Sequence, residues 1–187
     1  MMNLGVVFHG RGERRSAWAS AAGPYRTDPA CAMERHNTAI AAALKANPGK
    51  RHIVTSSVEH SSVLNYCMGR EKTPLLAQEG AGGGPYRVTN LPVDRDGLLK
   101  LADLEGAITD QTALVSLMWA NNETGVLFPV ERIAEVCRSR GVLYHCDAVQ
   151  AAGKVPIDAR KVQADYLSLT GHKFHAPKGA GARDLCR

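Results

Sequence analysis

A lysine and a carboxylate each follow a predicted strand in the second half of the chain. Lys173 ends the run Thr170-Gly171-His172-Lys173, directly after the apolar segment ADYLSL. A lysine at a strand end can form a Schiff base with an aldehyde if burial or a neighbouring charge lowers its pKa. Asp147 follows the strand VLYHC, where a carboxylate can pair with a protonated pyridine nitrogen or cap a helix. Position alone favours neither role of Asp147, but a carboxylate there strengthens the interpretation of Lys173 as the attachment point of an aldehyde cofactor.

Three further polar positions also come shortly after predicted strands. Gln150, on the predicted helical turn after Asp147, can hydrogen-bond a phenolic oxygen or complete a capping box. His60 follows RHIVTS, and its imidazole can stack on an aromatic ring, transfer a proton or serve only the structure. Asn122 lies with Asn121 and Glu123 at the exit of the strand ALVSLMW. These residue types suit the recognition of a polar aromatic cofactor.

Strand and helix patterns alternate from Asn37 to Leu169, which predicts an α/β domain with a mainly parallel sheet. In such sheets the chemistry lies at the carboxyl ends of the strands. Strands are predicted over 51–56, 86–92, 113–119, 142–145 and 164–169. Helices are predicted from Asn37 to the Pro48-Gly49 breaker, over part of 61–78, and over 101–108 and 129–140.

Composition excludes several other classes of protein. The net charge of +5 comes from scattered Lys and Arg with no basic run, so no nucleic-acid partner is expected. No apolar run approaches the ~20 residues that span a bilayer. The five cysteines form an odd set without CxxC spacing, which favours a reducing cytoplasm over a disulfide framework. His172, His175 and Cys186 lack the spacing of a metal site, so no metal is expected.

Four segments carry a resemblance to a known family. SSVEHSSVL, WANNETGVLFPVE, YHCDAVQAAGKVPID and LSLTGHKFHAPKGAGA occur in the order and approximate spacing of the class V aminotransferase-like enzymes. The chain most resembles the cysteine desulfurases of the nitrogen-fixation type. The resemblance implies that residues 33–182 are part of the large domain of a transferase that depends on pyridoxal 5'-phosphate.

The resemblance also implies a reaction and partners. L-cysteine would lose its sulfur to an enzyme cysteine and leave alanine, and an iron–sulfur scaffold protein would accept the sulfur from a homodimeric enzyme. Lys173 and His60 would be catalytic. The implied cofactor contacts are Lys173 as the covalent attachment, Asp147 on the pyridine nitrogen, Gln150 near the phenolic oxygen, His60 stacked on the ring, Asn122 beside cofactor and substrate, and Thr170 with His172 on the phosphate.

The chain departs from the family pattern at both ends. The segment CAMERHN at residues 31–37 aligns with a family turn in which a threonine holds the phosphate, and Met33 replaces that threonine. Residues 1–32 and 183–187 are expected to lie outside the family pattern, and the small C-terminal domain with its sulfur-accepting cysteine is expected to be absent. We therefore expect an inactive fragment of a cysteine desulfurase. The alternatives are a selenocysteine lyase-like enzyme and a non-catalytic remnant.

Overall fold

The computed structural model describes residues 30–72, 85–170 and 183–185. The predictions for Lys173 and His172 and for the side chain of Met33 lie outside the described residues, as do residues 1–29 and 186–187. Within the described part, no helix combines the length and the apolar character needed to cross a membrane.

Six strands form one sheet in the order β2-β1-β3-β4-β5-β6. The strands from β1 to β5 pair in parallel, and β6 adds to β5 in the antiparallel direction. The predicted α/β class with a mainly parallel sheet is therefore confirmed. The strands are β1 His52–Ser56, β2 Arg87–Leu91, β3 Thr112–Met118, β4 Leu143–Asp147, β5 Tyr166–Ser168 and β6 Arg183–Leu185.

In the described part of the chain, helix α1 Ala30–Ala46 precedes the sheet, and four helices lie between its parallel strands: α2 Ser61–Lys72, α3 Leu101–Ala107, α4 Val130–Ser139 and α5 Ala159–Val162. Helix α4 begins after Pro129, and Gly141 takes a positive φ of 63° just beyond its end, as the sequence predicts. Helix α1 begins at Ala30, whereas the sequence pattern predicted a start at Asn37. The added residues ACAMERH include good helix formers in Ala, Met, Glu and Arg, which explains the earlier start.

The central strands are covered on both faces. Every residue of β1 and β3 is buried, and successive side chains alternate between two apolar clusters. Ile53 and Leu114 pack with Ile40 of α1 in one cluster, whereas Val54 and Val115 belong to the cluster that contains Ile133 of α4. Alternation with burial on both sides is the pattern of a parallel sheet between two helical layers. Both faces of these strands are thus closed to solvent, which leaves the strand ends for polar chemistry.

Candidate active site

The carboxyl ends of four neighbouring parallel strands lie at one edge of the sheet. Adjacent exits are joined by the backbone, since the Trp119 N–H donates to the Asp147 carbonyl at 2.9 Å and the Ala148 N–H donates to the Ser168 carbonyl at 3.0 Å. The described residues that the sequence singles out follow these ends along the chain: His60 after β1, Asn122 after β3, Asp147 at the end of β4 with Gln150 beyond it, and Thr170 after β5.

Asp147 is a buried carboxylate with two different environments for its oxygens. Its side chain accepts the Val149 N–H through Oδ1 at 2.9 Å, and Oδ2 lies 3.5 Å from Nε2 of His36 in α1. Both Asp147 and His36 are buried. Residues 149–154 form turns without an assigned α-helix, and the Ala152 N–H donates to the Ala148 carbonyl at 2.9 Å, so Asp147 caps no more than a single turn. Asp147 closes an Asx-type turn and keeps Oδ2 for a positively charged or N–H group.

Gln150 lies within this single turn, between Ala148 and Ala152, in agreement with the helical turn that the sequence predicts after Asp147. It is half-buried, and its Oε1 accepts a hydrogen bond from Lys154 Nζ at 3.0 Å. Its contact with a phenolic oxygen stays a prediction. Thr170 is 3% exposed, immediately before the residues that the structure leaves undescribed.

His60 presents an exposed ring whose orientation is fixed by the start of α2. Its Nδ1 accepts the Ser62 N–H at 3.2 Å and lies 2.7 Å from Ser62 Oγ. Because Nδ1 acts as the acceptor, the neutral ring carries its proton on Nε2. His60 thus caps the helix with one ring nitrogen and is exposed, and its stacking role remains a prediction.

Two adjacent asparagines after β3 have different roles. Asn121 is buried; its Oδ1 accepts the N–H groups of Glu123 and Thr124 at 2.8 and 2.9 Å, and its Nδ2 donates to the Val58 carbonyl at 3.0 Å. Asn122 is exposed. The sequence interpretation chose Asn122 and missed the structural task of Asn121. An Asn that opens the run NETG is a signal for a side-chain-closed turn and could have revealed it.

Glu59 is a buried acid at the same edge that the sequence interpretation did not single out. Its Oε1 accepts the Met118 N–H at 2.7 Å and the Ser56 hydroxyl at 3.0 Å. Its Oε2 is buried and has no hydrogen-bond partner among the described residues. Burial raises the pKa of Glu59 to about 8, and the nearby Asp147 carboxylate adds to that rise. At neutral pH this side chain is therefore a carboxylic acid.

Beneath Asp147, a histidine in the middle of β4 links three strands. The ring of His145 lies 2.8 Å from Ser116 Oγ through Nδ1 and 2.9 Å from Ser168 Oγ through Nε2. Burial lowers the pKa of His145 well below its usual value, and the neighbouring His36 lowers it further. The two rings meet edge to face with centroids 5.7 Å apart. A neutral imidazole thus supports the ring that faces Asp147.

Three cysteines, Cys67, Cys137 and Cys146, are buried in regular elements. Burial raises the pKa of both Cys67 in α2 and Cys137 in α4 to about 12. Because the thiolate is the nucleophilic form, neither thiol is prepared to accept sulfur. Cys146 is buried within β4. These placements confirm that the three cysteines lie in helix or strand and not on an accessible loop.

Fold and polar edge together define a doubly covered α/β protein with its chemistry at the carboxyl ends of parallel strands. The profile of the class-V aminotransferases matches residues 30–183. The chain therefore belongs to the class-V aminotransferase family.

Comparison with individual proteins shows which members of the family this chain is similar to. Cysteine desulfurase 2 of Trichormus variabilis is 50% identical over 152 residues, which cover 81% of this chain and 35% of that protein. The solved structure of a NifS-like protein has a TM-score of 0.71 and 36% identity, over 83% of this chain and 41% of that one. The structure titled SspA in complex with cysteine has a TM-score of 0.70 and 37% identity, over 81% and 41%. The chain thus spans about a third of the length of the curated relative.

Proposed function

We propose that this chain is the cofactor-binding part of a pyridoxal-phosphate-dependent cysteine desulfurase. The observation that carries the proposal is the buried Asp147 carboxylate at the edge where the exits of β1, β3, β4 and β5 meet. The proposal is also supported by the 50% identity between this chain and a cysteine desulfurase.

The described residues fit the pyridine end of the cofactor. Asp147 Oδ1 is held by the backbone, whereas Oδ2 has an imidazole nitrogen 3.5 Å away and can accept a further N–H. The neighbouring Glu59 has a buried oxygen without a partner in the described part of the chain. A protonated ring nitrogen is a partner that the buried Asp147 carboxylate stabilises, and the Glu59 oxygen is a buried polar atom that calls for a further hydrogen-bond partner. When bound, pyridoxal phosphate supplies an electron sink for the substrate's Cα.

The remaining contacts belong to the same proposal. Lys173 would hold the cofactor covalently, and the exposed ring of His60 would stack on it. Asn122 and Gln150 would lie beside the cofactor's polar substituents. The phosphate would be bound by Thr170 and His172 through neutral and charge-assisted hydrogen bonds.

L-cysteine is the proposed substrate. Support comes from the cysteine desulfurase relative and from the similar structure of SspA in complex with cysteine. The sulfur would pass to a cysteine thiol, and then to an iron–sulfur scaffold protein. A homodimer in the cytoplasm completes the proposal, and the buried thiols of Cys67 and Cys137 suit a reducing compartment.

Titration of the purified chain with pyridoxal phosphate tests this proposal. We expect saturable binding accompanied by the visible absorbance of a cofactor linked to lysine. Lys173→Ala should abolish that absorbance, because no other residue is proposed to bind the aldehyde. Lys161→Ala, which removes an exposed lysine of α5, is the matched control and should bind like the parent. Equal absorbance in the parent and in Lys173→Ala would refute the assignment of Lys173.

A further inference from the structure

Two side chains tie the loop between β1 and α2 to the exit of β3. Glu59 Oε1 accepts the Met118 N–H at 2.7 Å, and Asn121 Nδ2 donates to the Val58 carbonyl at 3.0 Å. Ser56 Oγ donates to the same Glu59 oxygen at 3.0 Å, so the acid is also fixed to the end of its own strand. Loop residues 57–59, immediately before His60, are therefore attached both to the end of β1 and to the exit of β3.

The geometry points to Glu59 as a positioning residue that holds His60 over the proposed cofactor ring by fastening this loop to the exit of β3. The inference rests on the proposed function for the cofactor, but the anchoring itself is a property of the unliganded chain. His60 follows Glu59 directly, and its ring is oriented a second time by the Ser62 N–H at 3.2 Å. With both attachments in place, the ring has one fixed direction at the sheet edge.

At neutral pH Glu59 holds the loop as a neutral acid, so the anchor needs its accepting oxygen and not a charge. Burial and the nearby Asp147 raise the pKa of Glu59 to about 8. The other titratable groups near it are Cys67 of α2 and Tyr144 of β4, and burial raises the pKa of each of these as well. A glutamine has nearly the same shape, keeps the accepting oxygen and is uncharged, so Glu59→Gln should preserve the anchor. Alanine removes it.

Amide hydrogen exchange in the unliganded chain measures how firmly Glu59 attaches this loop, and it needs no cofactor. Glu59→Ala should speed exchange of the Met118 N–H, which loses its acceptor, and of the Ser62 N–H, which depends on the His60 ring. Glu59→Gln should restore both to the parental rates. Glu105→Ala, which removes an exposed glutamate on α3, is the matched control and should change neither.

Affinity for pyridoxal phosphate then tests whether Glu59 acts through His60. His60→Ala should weaken binding roughly threefold to tenfold, the value of one aromatic stacking contact. Glu59→Ala should weaken it by a similar factor, and the double variant should lose no more than either single variant, because both changes remove the same contact. Losses that multiply in the double variant would overturn the inference.

The outcomes separate this inference from the proposed function. If the parental chain binds no cofactor, the proposed function fails, and unchanged Ser62 exchange in Glu59→Ala would overturn the positioning role as well. If Glu59→Ala does not fold, Ser56→Ala is the milder variant, since it removes only the hydroxyl that holds the same oxygen. It should speed Ser62 exchange in the same direction by a smaller factor, and no change would contradict the role.

Discussion

Polar groups at the two ends of the sheet are satisfied in different ways. At the amino end, His52 begins β1 and uses both ring nitrogens, with Nδ1 at 2.8 Å from Thr112 Oγ1 and Nε2 at 2.8 Å from Thr89 Oγ1. At the carboxyl end, Glu59 keeps a buried oxygen without a partner in the described part of the chain. A closed set of hydrogen bonds stabilises strands, whereas a buried polar atom left open has a cost that a ligand can relieve.

This difference indicates that the polar groups at the amino end of the sheet are structural, whereas those at the carboxyl end are available to bind a ligand. His52 pairs with residues of the neighbouring strands β2 and β3, and nothing in that arrangement calls for a further group. Asp147 and Glu59 are acids brought close to one another, with His36 beside Asp147. Polar residues with unused capacity thus collect where strand ends converge, in agreement with the rule for open α/β sheets.

The largest effect should be a pH-dependent stability that comes from Glu59. Its pKa is raised from 4.5 to about 8 in the folded protein, so between these values the folded chain holds a proton that the unfolded chain has lost. Stability from this group is therefore full below pH 4.5 and falls as the pH rises towards 8, by roughly 3–5 kcal/mol. Glu59→Gln cannot titrate and should remove this decline.

Chemical denaturation of both proteins between pH 5 and pH 8 measures that difference. The lowered pKa values of His52 and His145 act in the opposite direction, since each loses its contribution as the pH falls below about 6.5. Both histidines are present in the two proteins, so subtraction isolates Glu59. Parallel stability curves for the parent and Glu59→Gln would show that Glu59 ionises normally.

At the amino end, His52→Ala should lower stability without changing the proposed site. The substitution removes two hydrogen bonds and leaves the Thr89 hydroxyl without its ring partner, for which we expect a loss of about 1–3 kcal/mol in the free energy of unfolding. Affinity for pyridoxal phosphate should stay within about twofold of the parent wherever the variant is folded. If the affinity for pyridoxal phosphate falls by more than the loss of stability explains, the amino end of the sheet also contributes to the site, and the separation of the two ends is wrong.

The smallest effect concerns Met33, where the resemblance implies a missing threonine at the phosphate. Met33→Thr should raise the affinity for pyridoxal phosphate by about tenfold, because a hydrogen bond to a charged group contributes at least about 1.5 kcal/mol. Parallel titrations of the parent and Met33→Thr measure the change. Met68→Thr, an exposed position on α2, is the control for loss of a methionine. Equal affinities in all three proteins would show that residue 33 does not contact the phosphate.

The sequence predicts the sheet well because its central strands are long apolar runs. ALVSLMW was predicted as a buried strand over 113–119 and is found over Thr112–Met118. The predicted start of α1 was wrong by several residues, because the residues just upstream of Asn37 include helix formers and no clear helix breaker. The helical turn predicted at Gln150 is found, but it ends after a few residues of turns and does not continue as an assigned helix. Such errors arise at element ends, where local propensity is weak.

The candidate site was predictable only in part. Position after a strand was enough to find Asp147 and His60, because parallel strands bring their carboxyl ends to one edge. The same signal could not show that Glu59 is buried and protonated, or that Asn121 closes a turn while Asn122 is exposed. Those properties depend on Met118 and Val58, whose backbone groups approach only after the chain has folded.

Mapping the attachment point of the cofactor tests the central claim most directly. The chain is saturated with pyridoxal phosphate, any lysine-bound cofactor is fixed by borohydride reduction, and peptide mass spectrometry identifies the modified lysine. We predict one dominant modification at Lys173, which is lost in Lys173→Ala and weakened when Asp147→Asn removes the charge that faces the ring nitrogen. Modification spread over surface lysines such as Lys154 and Lys161, with no preference for Lys173, would contradict a cofactor site at the carboxyl end of this sheet.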